Sequence, residues 1–201
     1  VFMIINSKKL SKIKKLKHGF FNSVGGKSKG IYKSLNCGLG SKDNTSNVIK
    51  NLEIVKKKID KSANQIFLSH QTHSSKLIYI DQNYKIKSKP KADAIITTKK
   101  KFPIGVLTAD CAPILIFDKK KNIISAIHAG WKGAYKGIVN KVIRFLIKKG
   151  SSPKDIIAVI GPTISVKSYE VQENFKKKFL KKDKKNKEFF KINNGKLYFD
   201  L

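Results

Sequence analysis

The imidazole and thiol side chains in this 201-residue chain, the ones suited to a soft or borderline metal, are few. They are four histidines (His18, His70, His73 and His128) and two cysteines (Cys37 and Cys111). Several of them close apolar runs. Cys111 ends Gly105-Val106-Leu107-Thr108-Ala109-Asp110. His128 ends the run from Ile123 to Ile127 and opens Ala129-Gly130-Trp131, while His70 and His73 follow Ile66-Phe67-Leu68. Strand ends hold side chains rigidly and leave the adjoining loops free to shape a pocket. Two His and one Cys, with a water as fourth ligand, suit a catalytic zinc. Such a metal acidifies its water towards a pKa of roughly 7 and polarises a substrate oxygen. The spacing matches no short metal-binding pattern, so two other readings of the same residues stand beside this one. In one, Cys111 is a small core side chain and His128 a satisfied buried histidine. In the other, Cys111 is a nucleophile and His128 its base, with Asp110 or Asp93 as the orienting carboxylate.

The elements that must position these residues are legible from periodicity. Val48, Leu52, Val55 and Ile59 share one face of a helix expected over 44–60, capped by Asn44 or Thr45. A second helix is expected from Ala134 to Lys149, with Val139, Val142, Ile143 and Leu146 inward and Gly150 ending it. Strand-type runs occupy 65–69, 76–80, 94–98, 104–108, 114–117, 123–127 and 156–160, and a turn over 119–122 joins two of them. The lysine-rich stretch 176–187 still contains Phe179 and Leu180 and reads as the end of a helix. So many strands with so few crossover helices predict an α+β fold with mixed sheets. No repeat and no Pro/Gly/Ser-rich linker divides the chain, so a single domain is expected.

Forty-four Lys and Arg against 13 Asp and Glu give a formal charge of +31. Arg144 is the only arginine. Nucleic-acid interfaces draw on the bidentate contacts of Arg, which Lys cannot make. The lysine runs at 56–58, 99–101 and 176–178 therefore read as solvated faces that would speed the arrival of anionic substrates, not as a specific nucleic-acid surface. No apolar run approaches the roughly 20 residues of a membrane span, and VFMIINSKKL has no cleavage-type signal pattern. Two cysteines are too few for a disulfide framework. A reduced, cytoplasmic protein without a membrane partner is the expectation; oligomeric state is not legible.

Four blocks of sequence go further. They are His18-Gly19-Phe20-Phe21 with Gly25-Gly26 and the segment from Gly30 to Asn36; Ser69-His70-Gln71-Thr72-His73-Ser74; Ala92-Asp93-Ala94 with Thr108 to Pro113 and His128 to Gly133; and Ile160-Gly161-Pro162 with Tyr169-Glu170-Val171. In these blocks the chain resembles the laccase-domain, YfiH-like family of purine nucleoside phosphorylases, once described as polyphenol oxidases. The resemblance implies a layered α/β/β/α fold with mixed sheets. It implies that His73, Cys111 and His128 are both the zinc ligands and the catalytic centre, with His70 outside it and Cu2+ a weaker candidate than Zn2+. It also implies phosphorolysis of adenosine, inosine and guanosine to base and ribose 1-phosphate, with methylthioadenosine phosphorolysis and adenosine deamination beside it. A deaminase needs an activated water aimed at the purine C6.

Gly25, Gly26, Asn36, Gln71 and Trp131 are the candidate substrate-binding residues. Gly25-Gly26 could bring backbone N–H groups to an anion or could simply make a tight turn. Asn36 could bind substrate or cap a turn, and Trp131 could stack on a purine or pack in the core. The chain departs from the family in two places. Asn22-Ser23 stand where a Thr-Arg pair is usual, and the chain is expected to lack the family's C-terminal segment, with its further Arg. Both departures bear on phosphate binding. Two alternatives accompany the phosphorylase reading: a hydrolase of the same family that edits cell-wall precursors, and an inactive basic binding protein that kept the fold.

Overall fold

The computed structural model describes residues 3–85 and 88–201. In chain order the first elements are β1 (Ile4–Ile5), α1 (Lys8–Ser11), β2 (Phe20–Phe21) and α2 (Thr45–Ile59). Then come β3 (Phe67–Leu68), β4 (Leu77–Ile80), β5 (Ala94–Thr97), β6 (Ile104–Gly105), β7 (Ala112–Asp118) and β8 (Ile123–Ala129). The chain continues with α3 (Trp131–Tyr135), α4 (Ile138–Lys148), β9 (Ile156–Ile160), α5 (Glu173–Lys182), β10 (Phe190–Asn193) and β11 (Lys196–Phe199).

A five-stranded mixed sheet in the order β4-β5-β8-β7-β9 forms the centre. The β4–β5 pair is parallel and the other pairings are antiparallel. β7 and β8 are apolar along nearly their whole length because the sheet is covered on both faces. The two-residue period of β5 shows how. Ala94 and Ile96 point to a core shared with Ile138, Val142 and Leu146 of α4, whereas Ile95 points the other way, to Phe67 and Ile80. The short parallel pair β3–β6 lies on that second side. This is an α+β fold of layered, mixed sheets, as the sequence and the resemblance both imply. Among the described residues no helix is long and apolar enough to cross a membrane.

The helix over 44–60 forms as expected. The Asn44 side chain accepts from the N–H groups of Ser46 and Asn47 at 2.9 and 3.3 Å. The helix expected over 134–149 is corrected to two. Gly137, at φ +69°, adopts the left-handed conformation and separates α3, which begins earlier at Trp131, from α4. Gly150 ends α4 as expected, with its N–H on the Ile147 carbonyl and that of Ser151 on Leu146, a Schellman motif.

The strand expected over 104–108 stops at Gly105. Beyond it, the N–H and C=O of Leu107 pair with the Gln71 side chain at 2.8 and 2.7 Å, so no neighbouring strand can take them. The β10–β11 hairpin was not foreseen, although its Asn194-Gly195 turn, with both residues at positive φ, is a strong hairpin signal. It packs Phe190 and Phe199 against Phe175 and Phe179 of α5.

Candidate metal centre

The strand ends carry the chemistry. Cys111 immediately precedes β7, and His128 is the penultimate residue of the adjacent β8. His73 sits on the turn that leads into β4. The ligand atoms of His73, Cys111 and His128 all lie within 4.8 Å of one another. The His73 and His128 rings meet edge to face, with centroids 4.7 Å apart. His128 is buried, Cys111 half-buried and His73 exposed, so the cluster opens to solvent on one side.

Asp93 stands behind this cluster with no solvent exposure. Its Oδ1 accepts from His128 Nδ1 at 2.8 Å and from the His73 N–H at 3.0 Å. Its Oδ2 accepts from the Ser74 N–H at 2.7 Å and the Ser74 hydroxyl at 2.6 Å, and the Thr72 N–H reaches both oxygens at 3.2 Å. Burial pushes this carboxyl up, but the bonds from Ser74, His128 and Thr72 outweigh it and hold it below the usual carboxylate range. An ionised carboxylate only accepts, so His128 Nδ1 carries the hydrogen of this bond and Nε2 is the nitrogen left facing away from Asp93 as a candidate ligand. The Cys111 thiol is pushed up by burial first and then by the charges of Asp110 and Asp93.

The donor set fits a divalent metal. Two imidazoles and a thiol with an open side are a three-ligand catalytic set, and a carboxylate behind a ligating histidine is its usual support. The backbone also leaves room for it. A Cβ on Gly130 would lie 2.7 Å from Cys111 Sγ and 3.2 Å from His73 Cδ2. The three residues could therefore bind a metal ion.

The remaining candidates have the following partners. His70 is exposed and pairs through its backbone with Pro90 and Ala92. His18 Nε2 accepts from the Ser7 N–H at 2.9 Å. Gln71 pins the turn bearing His73 to Leu107. Gly25, at φ +91°, makes a tight turn, and Gly26 lets the backbone pass Ser34: a Cβ there would lie 2.1 Å from the Ser34 carbonyl oxygen. Asn36 holds its own turn through Gly38, Ser41 and Asp43. The fully buried Asn51 of α2, not anticipated from sequence, ties this loop together. Its Nδ2 donates to Ser28, Ser34 and Asn36, and its Oδ1 accepts from the Lys27 N–H. The signal was an amide on the helix face that carries Val48 and Leu52. Trp131 packs edge-on against Phe175 at 5.0 Å, with Lys178 Nζ 5.2 Å from its ring centroid. Tyr169, in the same aromatic group, has its hydroxyl pushed up by burial and then by Cys111 and Asp110, and Trp131 directly follows Gly130, which lies against Cys111 and His73.

Comparison with known proteins decides the family. The family described as "Multi-copper polyphenol oxidoreductase laccase" matches residues 17–201. The chain belongs to this laccase-like, YfiH-type family. A Rickettsia conorii protein named purine nucleoside phosphorylase is 39% identical over 162 residues, which cover 78% of this chain and 66% of the relative. One from Bacteroides thetaiotaomicron is 33% identical, covering 86% and 67%. The chain thus spans about two thirds of the length of the curated relatives it matches. The crystal structure of Neisseria meningitidis protein NMB0706 superposes with a TM-score of 0.83 at 28% identity, covering all of this chain and 78% of the other. Bacillus licheniformis YfiH gives 0.79 at 27%, covering 90% and 72%.

Proposed function

We propose that this chain is a single catalytic domain of a cytoplasmic, zinc-dependent purine nucleoside phosphorylase. It converts adenosine, inosine or guanosine and phosphate to the base and ribose 1-phosphate, with methylthioadenosine phosphorolysis and adenosine deamination as side activities. The observation that carries the reading is the convergence of His73, Cys111 and His128 on one open-sided point, with Asp93 behind it. Relatives named purine nucleoside phosphorylase support the substrate class. A bound zinc supplies Lewis-acid polarisation of a substrate oxygen. The protein's own part is to hold the reacting groups: His128 is fixed by Asp93, and the His73 turn is tied by Gln71 to Leu107 in the segment that leads to Cys111. The aromatic group around Trp131 and Tyr169 offers a wall for a purine, and the lysine-rich surface favours phosphate arrival. Zinc suits the site better than copper. Among the described residues this is the single group of three such ligands found, and a multi-copper cluster needs more.

One observation favours a second reading. The His128–Asp93 pair could orient a base for a metal-free Cys111 nucleophile. Metal analysis of purified protein, followed by inosine with and without phosphate, separates the two. Stoichiometric zinc with phosphate-dependent release of ribose 1-phosphate is expected. Activity without bound metal would establish the nucleophile reading, and zinc without any turnover would leave a binding protein.

A further inference from the structure

Asp93 immediately precedes β5, between the buried Ala92 and Ala94, a place where only apolar side chains would be at ease. A buried anion is costly unless its lone pairs are all engaged. Here they are, and the partners come from two separate segments. One is the 72–74 turn, which carries His73. The other is β8, which carries His128. We propose that Asp93 is the positioning residue of the metal centre, a single carboxylate that seats His73 and His128 together against Cys111 before any ion arrives.

Two features argue for more than a filled hydrogen-bond quota. The His73 backbone lies at φ +53°, a left-handed conformation that a histidine keeps only when its surroundings hold it. The N–H groups of Thr72, His73 and Ser74 converge on the carboxylate as a backbone nest, which supplies that hold. At His128 the same carboxylate selects the Nδ1–H tautomer, leaving Nε2 as the nitrogen able to ligate. Ligand placement on two segments thus depends on one side chain.

Asp93→Asn offers one acceptor and one donor where two acceptors are required. With its NH2 towards His128 it forces the opposite tautomer; with its NH2 towards Ser74 it opposes an N–H now 2.7 Å away. The proposal shares the metal site with the functional reading above but not its substrate, so the test uses ions alone. Apo protein is titrated with Co2+, read by thiolate charge-transfer and d–d bands, and with Zn2+ by chelator competition. The ring tautomers are read separately from long-range 1H–15N spectra. Wild type is expected to show His128 protonated on Nδ1. Asp93→Asn is expected to bind both ions about 10–100-fold more weakly, with altered d–d bands. Ser74→Ala is expected to weaken binding less and keep the tautomer, and it carries the test if Asp93→Asn does not fold. Wild-type affinity and spectrum in Asp93→Asn, unchanged affinity in Ser74→Ala, or a wild-type His128 protonated on Nε2 would each overturn the proposal. Failure of the metal reading itself shows differently: wild type would take up neither ion, although His128 still carried its proton on Nδ1.

Discussion

Gly130→Ala perturbs the centre through a single methyl group. The Gly130 backbone, at φ −75° and ψ 171°, is ordinary for alanine, so no conformational strain confuses the result. The added Cβ would lie 2.7 Å from Cys111 Sγ, whereas ordinary contact begins at 3.4 Å, so the sulfur must retreat by about 0.7 Å. Ligand positions in a zinc site tolerate only about 0.2 Å. His73 is crowded as well, at 3.2 Å. Zinc affinity is therefore expected to fall at least about tenfold. Overpacking costs about 1–3 kcal/mol in a rigid core, or about 2–12 °C in Tm for a chain of this size. Because Cys111 is only half-buried and can swing outwards, the stability loss should sit at the low end while the metal loss is full. Chelator competition for Zn2+ and calorimetry on the same samples measure both. Wild-type zinc affinity in Gly130→Ala would refute the convergence of these residues on one ion.

Other outcomes follow from the same structure. Cys111→Ala and His128→Ala should each lower zinc content and nucleoside turnover together, because both serve one metal; loss of turnover in protein that never held zinc would point to a free nucleophile. Gly26→Ala sets a Cβ 2.1 Å from the Ser34 carbonyl oxygen and 2.5 Å from Leu35 Cα, backbone that cannot swing aside, so thermal melts should show a loss of at least about 1–3 kcal/mol. Buried Asp118 is pushed up by burial, but hydrogen bonds including those from the Lys121 and Lys120 N–H groups outweigh this and depress its carboxyl. A depressed carboxyl contributes stability above its unfolded pKa of about 3.9 and loses it as pH falls through the folded value. Asp118→Asn should thus flatten the acid limb of stability measured by urea titration from pH 6 to 2.

The sequence revealed most where periodicity was strong. The capped helix over 44–60, the apolar strands β7 and β8 and the stop at Gly150 all rest on local rules that the tertiary structure obeys. The site was legible as rare ligand residues at strand ends, and the choice of His73 over His70 came from the family resemblance. The errors have identifiable physical causes. The single helix expected over 134–149 took no account of Gly137, whose left-handed backbone divides it. The strand at 104–108 was shortened by a side-chain amide, Gln71, acting as a strand would. Asp93 was weighed only as a partner for a base. Its fuller role depends on N–H groups of a turn about twenty residues away, and no local pattern in the sequence records them.

The claim that His73, Cys111 and His128 hold zinc is tested most directly by X-ray absorption at the zinc K edge on purified protein. The account predicts one sulfur at about 2.3 Å and nitrogens at about 2.0–2.1 Å. A zinc shell without sulfur, or protein that retains no zinc, would contradict it.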